Sequence, residues 1–204
     1  MKKSVISLVL TAAMVLPAAA AEVRSGVTYD GPMEPEGSDR AVMQALMFDI
    51  ATAWAACDTE AMEGAITDDV HFSYPTSVKE GREAVMEDLA LFCDNATDTS
   101  IYFPKDAFYI DVDTGRVAAE VQFRTFQRGS RQVVNDVWVA HVADGKVSVI
   151  KEYLDGRVKD LQALGVLTLE ESPEVLTPWP PRTEEWAECF PIVKAAPINE
   201  CPSN

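Results

Sequence analysis

Hydrophobic positions fall into three regimes along the chain. A continuous apolar run from Val5 to Pro17 comes first, then helical spacing to about Cys93, then alternation from Ile101 onward. Val42, Leu46, Ile50, Ala53, Trp54 and Cys57 recur every three or four residues, which predicts a helix. Ser38 suits its N-cap, and Asp39 in the first turn favours the helix dipole. A short second helix is expected after Asp58, ending near Ile66. Thr67-Asp68-Asp69 then predicts a turn into a strand, Val70 to Tyr74, which Pro75 stops. Gly81 to Cys93 reads as a third helix with Ala84, Val85, Leu89 and Phe92 inward, and residues 94–100 read as a polar loop. Strands are expected at Ile101–Phe103, Ala107–Val112, Val117–Phe126 and in a final hairpin over residues 131–155. Arg157–Leu164 reads as one more helix, stopped by Gly165. Helices followed by a meander of strands predict an α+β domain over residues 38–165, with helices against a curved antiparallel sheet. Residues 22–37 read as an extended N-terminal arm. Residues 166–204 read as a proline-rich extension whose Trp179 and Trp186 should pack on the domain.

The final hairpin carries the most chemistry. A three-residue loop, Ala143-Asp144-Gly145, would pair Val142 with Lys146, and so Trp138 with Ile150 and Asp136 with Glu152. Two carboxylates then lie opposite each other beside a tryptophan. A two-residue loop would set Glu152 opposite Val137 and separate the acids, because one step of register exchanges the faces.

The apolar run changes the picture of where the chain works. Lys2 and Lys3, the run itself and Ala19-Ala20-Ala21 match the three regions of a secretory signal peptide over residues 1–21. Export to the periplasm or the exterior is therefore expected, with no membrane span in the mature chain. Without Lys2 and Lys3, 15 of the 17 basic residues remain against 33 acidic ones, a formal charge of −18. That surface repels nucleic acid and anionic lipid. Cys57, Cys93, Cys189 and Cys201 make an even count, which in an exported protein argues for disulfides. Of the three connectivities, Cys57–Cys93 with Cys189–Cys201 is preferred. No CxxC spacing occurs, and His71 and His141 lie far apart, so no metal site is expected.

Three local patterns resemble one family. They are Ala65-Ile66-Thr67-Asp68-Asp69-Val70-His71-Phe72 with Pro75, then Glu80-Gly81-Arg82-Glu83-Ala84-Val85, then Asp144-Gly145-Lys146-Val147 with Lys151-Glu152-Tyr153-Leu154-Asp155. In this order they resemble the nuclear transport factor 2-like superfamily, in its SnoaL-like polyketide cyclase and ketosteroid isomerase-like branch. The resemblance covers residues 39–165 and implies a cone-shaped fold, its sheet wrapped around the helices to enclose a pocket. It implies cofactor-independent chemistry or simple binding, since the fold hosts both. Limonene epoxide hydrolases of this superfamily place a Tyr and an Asn where this chain has His71 and Ser73, and a water-activating Asp at Glu152. Their remaining Arg and Asp fall at Val121 and Phe123. Ketosteroid isomerases use a Tyr in the first helix, which residues 39–57 lack, and an Asp near the position of Tyr74.

The candidate catalytic residues are Glu152, Asp136 and His71. Glu152 on an inward face would have its pKa raised by burial, and Asp136 facing it would push the two values apart. The alternatives are an outer-face glutamate or one paired with Arg157. His71 is a candidate proton shuttle or a hydrogen-bonded structural residue. Ser73 and Tyr74 are candidates for ligand contact, and Trp54 and Trp138 for apolar walls or plain core. The leading expectation is an exported, homodimeric enzyme acting without cofactor on a small, largely apolar oxygenated molecule. It would be a lyase, isomerase, cyclase or hydrolase with Glu152 as base. The alternative is a binding or interaction module whose pocket is filled by its own Trp and Phe side chains.

Overall fold

The computed structural model describes residues 22–154, 156–165, 167–176 and 184. The expected signal peptide, the expected Cys189–Cys201 bridge, the expected packing of Trp179 and Trp186 and most of the C-terminal extension fall outside the described residues. The elements, in order, are β1 (Glu22–Arg24), β2 (Val27–Tyr29), α1 (Asp39–Ala56), α2 (Thr59–Ala65), β3 (Ile66–Tyr74), β4 (Ser77–Glu80) and α3 (Arg82–Asn95). They continue with β5 (Thr97–Phe103), β6 (Phe108–Asp111), β7 (Arg116–Gln127), β8 (Ser130–Ala143), β9 (Lys146–Glu152) and α4 (Gly156–Ala163). The strands form one curved sheet ordered β1-β2-β5-β7-β8-β9-β3-β4, with β6 also pairing with β7.

Helix starts follow the expected caps. Ala41 N–H donates to Ser38 Oγ at 3.1 Å and Ala61 N–H to Asp58 Oδ1 at 2.9 Å. Each bond satisfies a first-turn amide that the helix itself leaves open. The buried face of α1 includes Met47, Phe48, Ile50, Ala51 and Trp54, packed into the sheet with Phe103, Ala119, Val121, Trp138 and Ile150. Phe48 meets Phe103 and Phe108 edge to face, with ring centroids 5.2 Å apart in both pairs. The α+β cone expected from the sequence is what forms.

Several local expectations change. Two pairings are parallel, β2 with β5 and β3 with β9, so the sheet is mixed. Long connections through the helices separate both pairs, and only such connections allow parallel neighbours. The arm at 22–37 contributes β1 and β2, and buries Val27 and Tyr29. Thr67-Asp68-Asp69 is no turn before the strand. These residues lie within β3 where its register against β9 slips, Ile66 facing Val147 and His71 facing Val149. Pro75 ends β3 but leads into a tight return, β4, and β5 begins at Thr97 inside the expected loop. Gly81 (φ 82°) joins β4 to α3 in a backbone conformation that glycine adopts without strain.

The Cys57–Cys93 disulfide forms, with Cα atoms 5.9 Å apart. It ties the end of α1 to α3, and such a cross-link contributes about 2–4 kcal/mol. No helix among the described residues is long and apolar enough to cross a membrane.

Candidate active site

The hairpin reaches the expected face by a different register. Ala143 pairs with Lys146, so the loop is the two residues Asp144-Gly145, both with positive φ (51° and 73°). That is the geometry of a type I′ turn, which Asp-Gly favours. Taken alone, this loop would turn Glu152 away from Asp136. The register then shifts between the pairs Val142↔Val147 and His141↔Val149, leaving Ser148 as an extra residue. The bulge restores the face. Glu152 ends opposite Trp138, two residues along β8 from Asp136, and all three side chains point inward.

They line a cavity of about 740 Å³ at the open end of the cone. That lies within the size of small-molecule sites, roughly 300–1,000 Å³. Trp54 of α1, Phe72 of β3, Phe92 of α3, Phe123 of β7 and Trp138 of β8 form its apolar walls. Trp54 packs on Phe72 and on Phe92, with centroids 5.9 and 5.4 Å apart. The disulfide joins Cys57, three residues after Trp54, to Cys93, the neighbour of Phe92, so it fixes two walls together. Tyr74 and Asp88 line another side, and Arg128, Arg157, Lys159 and Asp160 lie around the same cavity. Among the described residues, these aromatic rings line the space rather than fill it.

The two acids differ in their surroundings. Asp136 is 5 % exposed and accepts from Trp138 Nε1–H at 3.0 Å and from Tyr153 N–H at 2.9 Å. Burial pushes its pKa up to about 6. The Trp138 bond, the backbone amides of Val137 and Tyr153 and the nearby Lys159 charge limit that rise. Glu152 makes no hydrogen bond or ion pair with any described residue. It keeps some accessible surface where it meets the cavity, yet its carboxyl lies deep among protein atoms. Burial raises its pKa well above the ordinary glutamate range, and the Asp136 carboxylate raises it further. Lys159 acts against this, and Asp88 adds to it. Lys159 itself is shifted down, chiefly by burial, with Glu152 and Asp136 pulling the other way. The cavity thus holds two carboxyl groups whose pKa values burial raises and a lysine whose pKa burial lowers.

Of the candidates from sequence, Glu152, Asp136, Tyr74, Trp54 and Trp138 are brought together. His71 and Ser73 are not. They alternate with Phe72 and Tyr74 on β3, so when those two line the cavity His71 and Ser73 face away from it. His71 Nδ1 instead lies 2.8 Å from Glu80 Oε1 on β4. Asp88 and Lys159 also line the cavity, although neither is among the candidates from sequence. Asp88 interrupts the inward stripe of α3, one turn before Phe92, and such an acid within an apolar stripe is a readable signal. Its carboxylate accepts from Tyr74 Oη at 3.3 Å and pairs with Lys79 Nζ at 2.9 Å. Lys159 stands beside the buried Val158 and Gln162, but nothing in the α4 sequence distinguishes it from an exposed lysine. Among the described residues, no three His, Cys, Asp or Glu side chains are grouped to hold a metal ion.

Comparison with known proteins agrees with this architecture. A candidate polyketide cyclase from Bacillus cereus superposes with a TM-score of 0.55 at 15 % identity, covering 72 % of this chain and 95 % of its own. An LEH-like epoxide hydrolase from M. tuberculosis gives 0.53 at 15 % identity, covering 61 % and 90 %. A protein of ketosteroid isomerase-like fold from Catenulispora acidiphila, in complex with trimethylamine, gives 0.53 at 13 %, covering 58 % and 91 %. At such identities the likeness is one of fold. No curated protein matches the sequence. The SnoaL-like domain model matches residues 47–150, half of the chain, from within α1 to Ile150 of β9, and the protein belongs to that family of the nuclear transport factor 2-like superfamily.

Proposed function

We propose that this protein is an enzyme that moves protons, without a cofactor, on a small and largely apolar oxygenated molecule held in the cavity. The family and its cyclase, isomerase and epoxide hydrolase-like neighbours support an enzyme of this kind. The observation that carries the reading is Glu152: a carboxyl group without a hydrogen-bond partner among the described residues, at the wall of an aromatic cavity and beside Asp136. Burying a polar group without a partner costs stability, so its retention favours a chemical role.

The electrostatics favour a division of labour. Near neutral pH Glu152 carries the proton and donates it to a ligand oxygen. Asp136, fixed by Trp138 and Tyr153, holds the negative charge of the pair. Once Glu152 has given up its proton it is the base for the return step. Lyase, isomerase, cyclase and hydrolase reactions all use such a pair. The leader sequence and the Cys57–Cys93 bridge support export to the periplasm or beyond. A homodimer through the outer face of the sheet would have to accommodate residues 170–172, which lie across Gln122 and Arg124 there.

The test is a thermal-shift screen of apolar alcohols, epoxides and carbonyl compounds, followed by product analysis with wild-type protein and Glu152→Gln. The expected variant binds the same ligands and turns none over. Equal turnover by both would overturn the assignment. One observation favours a second reading, ligand binding without chemistry: Val121 and Phe123 are apolar where epoxide hydrolases of the superfamily carry Arg and Asp. On that reading Glu152→Gln changes affinity alone and no product is found with either protein.

A further inference from the structure

We infer that Lys159 is a nucleophilic amine which captures an aldehyde or ketone in the cavity as an imine. This rests on the acid–base reading of the same cavity and narrows its ligand to a carbonyl compound with an apolar body.

Placement comes first. Lys159 lies on α4, and the helix is held against the sheet by Gln162, one turn further on. β9 ends at Glu152, so the edge of β8 near Val133 has no strand beside it. Gln162 takes that place: its Oε1 accepts Val133 N–H at 2.9 Å, and its Nε2 donates to Val133 O at 2.8 Å. A helix anchored in this way sets Lys159 at the cavity wall.

The second observation is the company Lys159 keeps. Two other cations close to the cavity are paired, Lys79 with Asp88 and Arg128 with Asp160. Lys159 has no hydrogen bond or ion pair with a described residue. Its Nζ stands 5.9 Å from the centre of the Phe123 ring. The charged groups around it are Glu152 on β9, Asp136 on β8 and Arg128 in the β7–β8 turn. Asp88 on α3 and Asp160 on its own helix line the same cavity. Burial outweighs the two carboxylates and lowers its pKa, which enriches the neutral amine. A desolvated amine in an apolar pocket is one of the standard ways to make lysine a nucleophile.

The step balances with groups already present. The neutral amine attacks the carbonyl carbon and, after a proton shift from nitrogen to oxygen, a carbinolamine results. Glu152 donates its proton to the carbinolamine hydroxyl, which leaves as water while the nitrogen lone pair forms the C=N bond. One cation, the iminium, and one anion, the Glu152 carboxylate, replace two neutral groups. Asp136 supplies a second negative charge near the iminium.

The experiment treats the mature protein at pH 7 with 3-phenylpropanal and sodium cyanoborohydride, which reduces an iminium to a stable secondary amine. Peptide mapping by mass spectrometry then gives the rate of labelling at each lysine. Each adduct adds the mass of the aldehyde less one oxygen atom. The expected result is labelling of Lys159 at least tenfold faster than of Lys79, Lys105, Lys146 or Lys151. Lys159→Arg, which keeps the charge, should lose the fast phase alone, and Glu152→Gln should slow it about tenfold. Labelling of Lys159 no faster than of the other lysines overturns the inference. If turnover then still depends on Glu152 and survives Lys159→Arg, the imine falls while the acid–base reading stands. Fast labelling of Lys159 with turnover indifferent to Glu152→Gln supports the imine and removes the acid–base reading.

Discussion

Two sets of buried polar groups in this molecule are treated in opposite ways. On the outer face Gln122 uses its whole amide. Its Nε2 donates to Asn135 Oδ1 and Glu170 O, and its Oε1 accepts from Arg124 Nε and Ser172 N, all between 2.8 and 3.0 Å. Gln162 likewise bonds both backbone groups of Val133 and the carbonyl of Val158. At the cavity wall Glu152 and Lys159 have no hydrogen-bond partner among the described residues, although burial perturbs both, while Asp136 beside them is held by Trp138 and Tyr153. Satisfied groups of the first kind hold structure together. Groups of the second kind are costly to keep and are available to a ligand. The contrast separates scaffold from chemistry in a molecule where both are buried.

Substitutions in the two sets should therefore act in opposite directions. Glu152→Gln is expected to lower turnover by about 10²–10⁴-fold, the usual contribution of a general acid–base group, with no loss of melting temperature. Gln162→Ala and Gln122→Ala should do the reverse. Each leaves buried polar atoms unpaired at about 1–3 kcal/mol, visible as a lower denaturant midpoint. Gln122→Ala should also retain turnover in the folded protein.

A smaller effect lies in the pH dependence of stability. Folding raises the pKa of Asp136 from 3.8 to about 6 and moves Glu152 in the same direction. The native state therefore binds more protons than the unfolded chain across that window. These acids cost nothing below about pH 4, and their penalty grows as pH rises from the unfolded toward the folded values, by about 1.4 kcal/mol for each pH unit that separates the two. Glu152→Gln removes its share. Its stability relative to wild type should be unchanged near pH 4 and should rise toward pH 8, measured by urea unfolding at each pH. The smallest effect is expected at His71. It faces away from the cavity beside Glu80, and His71→Gln should stay within about 0.5 kcal/mol of wild type and keep its turnover.

Much of the scaffold can be read from the sequence, because caps, periodicity and turn residues act locally. Ser38 and Asp58 start α1 and α2 as expected, and the Cys57–Cys93 bridge joins the helices that periodicity assigns to them. The parity of the final hairpin is harder. Asp-Gly signals a two-residue loop, and only the bulge at Ser148 puts Glu152 back on the face of Asp136. A bulge of that kind has no mark in the alternation around it. His71 and Tyr74 cannot both serve the site, since residues of opposite parity on one strand do not share a face, and Tyr74 is the one turned inward. Lys159 carries no sequence mark at all. Its placement depends on a contact between α4 and the free edge of β8, two elements whose meeting local pattern does not encode.

The chemistry of this cavity turns on Glu152 holding a proton near neutral pH. The side-chain carboxyl carbons of ¹³C-labelled protein report it when followed by NMR across pH 3 to 9, with Glu152→Gln to assign the resonance. Glu152 should titrate well above the ordinary glutamate value of 4.5. A Glu152 that titrates near the ordinary glutamate value of 4.5 would be an ionised residue at neutral pH and could not be the proton donor.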